Sequence, residues 1–164
     1  MPSASEPRRT TKLLIVAHAP LASALQAVAA HAYPEQAGRV ASLDIGADLA
    51  EPERAVRQAL EALEALEASS GQEVLVLTDA FGATPCSACQ KAAAGLARVR
   101  VLAGVNVPML WRALNQPDDL PADELSQRAM AGAVQGVMPA NPTPRQNQPG
   151  SKGGHDPKQH HDQQ

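Results

Sequence analysis

Residues 74–85 read VLVLTDAFGATP and contain three structural signals in succession. The aliphatic run Val74–Leu77 has the length and composition of a strand buried on both faces. A loop through Gly82 ends that strand, and Thr84-Pro85 begins a helix, because proline is well tolerated in the first helical turn. The stretch therefore predicts a strand followed at once by a helix, the repeating unit of a parallel α/β sheet.

The same alternation extends from this stretch toward both ends of the chain. Apolar runs typical of strands occupy Lys12–Ala17, Arg39–Ile45 and Val99–Ala103. Helical periodicity or helix-start signals mark the segments between and after them, at Leu21–Ala32, after Glu51-Pro52-Glu53, at Pro85–Leu96, at Val107–Leu114 and at Asp123–Val134. A last extended piece is expected near Gln135–Met138. The pattern predicts an α/β fold with a mostly parallel, four-stranded sheet and helices on both of its faces.

Two of these helices carry more detailed expectations. Leu21, Leu25 and Val28 have the spacing i, i+4, i+7, which predicts that they form the buried face of the first helix. The second helix is expected to continue to Ser69-Ser70-Gly71, a cluster of residues that ends helices.

The two ends of the chain differ in composition from its middle. Residues 1–11 are mostly polar and include two prolines, which predicts a flexible leader. Residues 139–164 contain no Val, Ile, Leu, Phe or Met but five prolines and three glycines. Such a segment cannot bury enough apolar surface to offset the entropy of ordering it, so we expect a disordered tail. One domain is then expected at 12–138.

Composition excludes several classes of function. The chain has 164 residues, 2% aromatic residues and a formal net charge of −3, so neither base stacking nor a basic surface supports nucleic-acid binding. It contains no apolar run of the roughly 20 residues needed to cross a bilayer. Arg8-Arg9 resembles a twin-arginine export signal, but His18 and Pro20 end the apolar run after five residues, which is short for such a signal. We therefore expect a cytoplasmic protein without membrane insertion.

A histidine and an aspartate follow two strands of the predicted sheet. His18 comes directly after the first strand and Asp79 after the third, so both should lie at the carboxyl edge, where open α/β sheets bind ligands. A carboxylate that accepts a hydrogen bond from one ring nitrogen leaves the lone pair of the other nitrogen free for nucleophilic attack. His31 is expected on the surface, and Asn106, at the same edge, is expected to order its own loop.

The loop after Asp79 supplies what an anion needs. Gly82, Ala83 and Thr84 lead directly into a helix, so free N–H groups and the positive end of a helix dipole should face the same edge. Thr84 adds a hydroxyl donor. Phosphoryl transfer depends mainly on positioning and charge stabilisation. These residues therefore make phosphoryl transfer through His18 the leading hypothesis.

Cys86 and Cys89 support a second hypothesis of another class. A C-x-x-C pair at the start of a helix is the arrangement of thiol–disulfide oxidoreductases, where the dipole lowers the pKa of the first thiol. The order of strands and helices around this pair is not that of thioredoxin. Two small, partly buried helix residues are the simpler interpretation.

At these same residues the chain resembles the mannose/fructose/sorbose-type IIA component of the bacterial sugar phosphotransferase system. The motifs that carry the resemblance are LLIVAHAP, VLVLTDAFGATP and AGVNVPML, in the family's order and spacing over about Lys12 to Met138. The sequence departs from the family pattern at Ala19, where glycine is usual, and at Cys86 and Cys89.

The resemblance implies a function, partners and an assembly. His18 would accept a phosphoryl group from the carrier HPr and pass it to a IIB component, with Asp79 orienting His18 and Gly82, Ala83 and Thr84 holding the phosphate. It implies a flavodoxin-like sheet and a homodimer that exchanges its C-terminal strand, and it implies no cofactor or metal. The phosphoryl-donor subunit of a dihydroxyacetone kinase, whose first domain resembles the same family, is the alternative. The sequence reveals neither the sugar nor whether the role is transport or regulation.

Overall fold

The computed structural model describes residues 9–65 and 71–141. Within them the chain forms four strands, β1 (Thr10–His18), β2 (Val40–Ile45), β3 (Gln72–Thr78) and β4 (Val99–Ala103). Five α-helices alternate with or follow them, α1 (Leu21–Ala32), α2 (Pro52–Ala62), α3 (Thr84–Ala92), α4 (Val107–Leu114) and α5 (Ala122–Gln135). A short 3₁₀ helix at Pro34–Arg39, which the sequence did not predict, precedes β2.

The strands form one parallel sheet in the order β2-β1-β3-β4. The prediction of a four-stranded α/β sheet is confirmed, and the order matches the first four strands of a flavodoxin-like fold. The chain leaves β1 toward β2 on one side and then crosses to β3 on the other. The point where the direction reverses therefore lies between the carboxyl ends of β1 and β3, and parallel sheets bind ligands at such a point.

Successive side chains of β1 enter different halves of the core, because strand side chains alternate between the two faces of a sheet. Leu13 and Ile15 pack with α1, α4 and α5, whereas Leu14 and Val16 pack with α2 and α3. All four are at most 1% exposed. Helices therefore cover both faces, as the sequence predicted.

The predicted buried face of α1 is wrong at two of its three positions. Leu25 is buried, but Leu21 and Val28 remain 40% and 39% exposed. Ala22 and Ala29 contact the sheet instead, at 0% and 1% exposure. A methyl side chain lets the helix axis approach the sheet closely, so small residues occupy the contact and the larger aliphatic residues lie at its rim.

Several predicted boundaries differ from the structure. Thr10 and Thr11, assigned to the leader, belong to β1, because Thr11 Oγ1 donates to the Leu120 carbonyl at 2.6 Å and Thr10 pairs in register with Gln72. Helix α2 ends at Ala62, well before 69–71. Residues 1–8, 66–70 and 142–164 lie outside the described residues, so most of the leader and nearly all of the tail remain predictions.

The expected extended piece near Gln135–Met138 is not a strand of this chain. Helix α5 continues through Gln135, and residues 136–141 join none of the four strands. Val137 and Met138 are 74% and 69% exposed. Exchange of a C-terminal strand between two subunits is a matter of assembly and stays a prediction. Among the described residues no helix has the length and apolarity required to cross a membrane.

Asn106 caps α4, as expected of a residue that orders its own loop. Its side-chain oxygen accepts from the Met109 N–H at 2.8 Å, and its amide nitrogen donates to the Ala133 carbonyl of α5 at 3.3 Å. The residue therefore stabilises the start of α4 and also joins it to α5.

Replacing Asn106 with alanine should lower the free energy of unfolding by about 1–2 kcal/mol, because it removes a helix cap and leaves partly buried groups unpaired. Asn115→Ala is the matched control, since among the described residues that exposed amide donates only to the Tyr33 hydroxyl, and its cost should stay below about 0.5 kcal/mol. Urea denaturation of both variants measures the difference. Equal losses would show that the cap does not stabilise the fold.

Candidate active site

His18 is the last residue of β1, at the carboxyl edge of the sheet. The strand holds its backbone through register pairing with Ile45, and the next residue, Ala19, donates its N–H to the Ile45 carbonyl at 3.1 Å. The His18 side chain is 58% exposed. The strand end thus presents an accessible imidazole to solvent at the point between β1 and β3 where the direction of the crossovers reverses.

Asp79, the first residue after β3, holds this histidine through a single carboxylate oxygen. Oδ2 of Asp79 accepts from the backbone N–H of His18 at 2.9 Å and lies 2.6 Å from Nδ1 of the same residue. Oδ1 accepts from the Ala80 N–H at 2.8 Å. The Asp79 side chain is only 11% exposed. Both oxygens of the carboxylate therefore accept hydrogen bonds, and Oδ2 fixes both the backbone and the ring of His18.

The hydrogen bonds keep Asp79 ionised. Burial raises the pKa of its carboxyl group, but hydrogen bonds from the backbone and ring of His18 and from Ala80 outweigh it, so the pKa lies below its ordinary value. An ionised carboxylate can only accept, so Nδ1 of His18 must carry a proton. In the neutral ring the lone pair is then on Nε2, on the side away from Asp79. This is the tautomer that makes Nε2 a nucleophile.

The loop from Ala80 to Thr84 places hydrogen-bond donors beside this edge. Gly82 has φ +83°, a left-handed conformation that glycine adopts without strain. Ala83 donates its N–H to the Ala80 carbonyl at 3.2 Å, so that donor is already used within the loop. Within the described residues neither the Gly82 N–H nor the Thr84 hydroxyl makes a hydrogen bond. Both are open to an anion at the N-terminus of α3.

The remaining candidates are His31 and the two cysteines. His31 is exposed in the last turn of α1, as predicted. Cys86 and Cys89 are free thiols at 1% and 0% exposure. Burial, with Cys86 and Asp79 nearby, raises the pKa of Cys89 to about 12. A buried thiol that resists ionisation is a poor nucleophile. In the described part of the chain no group of three metal-ligating side chains could hold an ion.

Sequence reasoning missed two features of this edge. It paired His18 with Asp79 but did not foresee that one oxygen would accept from both the ring and the backbone. It also assigned nothing to Arg57 and Lys91, which face each other across a cavity between α2 and α3. No local pattern could have found that pair, because only the packing of α2 beside α3 brings them together.

The chain matches a known protein family over most of its length. Residues 12–130 match the family model EIIA-man, described as the fructose IIA component of the PTS system. No curated protein sequence gives a significant match.

Solved structures show the same fold. The mannose/sorbose-specific IIA subunit of the phosphotransferase system from Enterococcus faecalis superposes with a TM-score of 0.73 at 22% identity, covering 84% of this chain and 99% of that one. Phosphotransferase system component EIIA from Streptococcus agalactiae gives 0.66 at 24% identity, covering 79% and 96%. A PTS IIA protein associated with the fucose utilization operon of Streptococcus pneumoniae gives 0.65 at 20%, covering 81% and 95%. Because the family model matches well over half of the length of the chain, the chain belongs to the EIIA-man family of PTS IIA components.

Proposed function

We propose that this protein is a cytoplasmic phosphocarrier that accepts a phosphoryl group from phospho-HPr on Nε2 of His18 and passes it to a IIB component, in sugar uptake or its regulation. The observation that carries the proposal is the 2.6 Å contact between Nδ1 of His18 and Oδ2 of Asp79. It directs Nε2 away from the carboxylate on a side chain that is 58% exposed. A relay between two proteins needs such an accessible nucleophile.

The transfer is a displacement at phosphorus. The Nε2 lone pair of His18 attacks the phosphoryl group of the donor phosphohistidine, so that a new N–P bond forms as the donor N–P bond breaks, and the donor nitrogen keeps the bonding electrons. The His18 ring becomes cationic, and the Asp79 carboxylate stabilises that charge through Nδ1–H. The Gly82 N–H and the Thr84 hydroxyl are placed to donate to phosphoryl oxygens. Transfer to IIB runs through the same steps in reverse.

The proposed assembly is a homodimer of the 12–138 domain. Strand β4 forms one edge of the sheet and has a single neighbour, β3, among the described residues. An unpaired edge can accept another strand. Residues 136–141 follow α5 without joining the sheet of their own chain, so exchange between subunits would give them a partner. Phe81, 83% exposed in the loop beside His18, belongs to the surface on which HPr and IIB would dock.

Reconstitution tests the relay. The full-length protein is incubated with radiolabelled phosphoenolpyruvate, enzyme I and HPr, and the label should be labile in acid and stable in alkali, as expected for a phosphohistidine. Added IIB should then remove the label. A protein that remains unlabelled while HPr is labelled would overturn the proposal. If subunits of a dihydroxyacetone kinase accept the label and IIB does not, the alternative function replaces it.

The two cysteines should be dispensable for this relay. A Cys86→Ser, Cys89→Ser double variant should accept label at a rate within about twofold of wild type, since neither thiol is accessible and Cys89 resists ionisation. Labelling kinetics measure this, with insulin reduction by dithiothreitol as the assay for redox activity. Insulin reduction by the wild type that disappears in the double variant would support the thiol–disulfide alternative.

A further inference from the structure

A cavity of about 710 Å³ lies between α2 and α3 and begins at the loop beside His18. Its volume is in the range of small-molecule sites. One wall carries Arg54 and Arg57 of α2 together with two carboxylates at the start of that helix, Glu51 and Glu53. The other wall carries Thr84, Ser87 and Lys91 of α3. The phosphocarrier reaction uses only the end of this cavity at Gly82 and Thr84, so the rest is unassigned.

The far end of the cavity is cationic. Arg54 is engaged by Glu51 at 3.1 Å, but within residues 9–65 and 71–141 neither Arg57 nor Lys91 forms an ion pair. In this part of the chain Arg57 donates a hydrogen bond only to the Ala92 carbonyl, at 3.4 Å. Two cations on facing helices repel each other unless an anion lies between them. Guanidinium and ammonium groups together form a favourable site for phosphate.

The length of the cavity sets the size of its ligand. Thr84, Ser87, Ala88 and Lys91 line it at spacings that keep them on one face of α3. From Thr84 to Lys91 the helix rises about 10 Å, at 1.5 Å per residue. The Thr84 hydroxyl and the Gly82 N–H provide donors at the near end. The cavity therefore forms a groove along α3, and a molecule with one anionic group at each end, about 10 Å apart along the helix, matches both ends of this groove.

We propose that this groove binds a small bisphosphorylated metabolite of the sugar-bisphosphate class, with one phosphate between Arg57 and Lys91 and the other at Gly82 and Thr84. The near phosphate uses the donors that the proposed function gives to the phosphoryl group on His18. Ligand and phosphoryl group therefore compete, and the ligand lowers the rate of phosphoryl acceptance. This last consequence rests on the proposed function, whereas binding itself does not.

Calorimetric titration of the unphosphorylated full-length protein tests binding, with fructose 1,6-bisphosphate as the probe and fructose 6-phosphate as its matched compound with one phosphate. We expect one site per chain and at least about tenfold weaker binding of the monophosphate. Arg57→Gln and Lys91→Gln should each weaken binding of the bisphosphate by about tenfold or more. Arg128→Gln is the control, because that cation pairs with Glu124 on α5, and it should bind as wild type does.

A second variant keeps both cations in place. Ser87→Asp adds a negative charge midway along the groove and should abolish binding without removing a ligand contact at either end. The proposal is overturned if the bisphosphate does not bind, if mono- and bisphosphate bind equally, or if Arg57→Gln and Lys91→Gln bind as tightly as Arg128→Gln. An acidic peptide that binds where the bisphosphate does not would assign the groove to a protein partner instead.

Phosphorylation assays separate this inference from the proposed function. The bisphosphate should slow labelling of the wild-type protein and leave labelling of Ser87→Asp unchanged. If the protein accepts no label under any condition but binds the bisphosphate through Arg57 and Lys91, the relay fails and the ligand site stands. Labelling that is insensitive to saturating bisphosphate would overturn the competition.

Discussion

His18→Ala should accept no label from phospho-HPr, a loss of at least about 10³-fold, because the described residues place no second histidine at this edge. The fold should be retained. The His18 backbone N–H still donates to Asp79 in the variant, and the lost side chain is 58% exposed in the wild type. Phosphoryl incorporation after separation from HPr measures the effect.

His31→Ala is the matched control, since His31 is also an exposed histidine but lies in the last turn of α1. It should be labelled as the wild type is. Circular dichroism and urea denaturation of both variants test whether the loss is chemical. Labelling of His18→Ala at the wild-type level would place the acceptor elsewhere and refute the assignment of His18.

Asp79→Asn should reduce the rate of labelling by about 10²–10⁴-fold while leaving a folded protein. Asparagine offers one oxygen in place of two, yet three groups donate to Asp79, namely the backbone N–H and Nδ1 of His18 and the N–H of Ala80. If the amide nitrogen faces Nδ1, the ring is held with its proton on Nε2, where it blocks attack. The neutral amide also fails to stabilise the cationic ring of the phosphorylated state.

Asp44→Asn is the control for this variant. Asp44 is a carboxylate in the neighbouring strand β2 that accepts from the Ser23 N–H, and its replacement should change the labelling rate by less than about threefold.

The free energy of unfolding, measured as a function of pH, tests the lowered pKa of Asp79. Because the pKa of Asp79 is lowered in the folded state, its ionised form stabilises the fold above the unfolded pKa, and this contribution is lost as the pH falls through the folded pKa. The stability difference between wild type and Asp79→Asn should therefore shrink at acidic pH. A constant difference would contradict the assignment.

Much of the fold follows from local sequence because strands and helices alternate with clear periods. Helices α1 and α4 and strand β4 have the predicted bounds. The buried face of α1 was wrong because an apolar period does not reveal whether leucine or alanine approaches the sheet more closely. The end of α2 was also wrong, because the residues after Ala62 keep the helical composition although the helix has stopped.

The candidate site was predictable only as far as topology determines it. Parallel strands bring their carboxyl ends to one edge, which placed His18 beside Asp79 before any distance was known. The sharing of one carboxylate oxygen and the juxtaposition of Arg57 with Lys91 depend on tertiary packing. Neither leaves a periodic signal in the sequence.

The shared oxygen of Asp79 has a consequence for the reversibility of the proposed relay. Oδ2 binds the backbone and the ring of the same residue, so the imidazole cannot rotate without losing its hydrogen bond to the oxygen that also anchors the strand end. The ring has therefore lost its rotational freedom before either partner arrives. Neither loading nor unloading of the phosphoryl group requires the side chain to reorganise, and a rigid acceptor of this kind lowers the barriers in both directions equally. The direction of flux is then determined by the concentrations and phosphorylation states of the two partners.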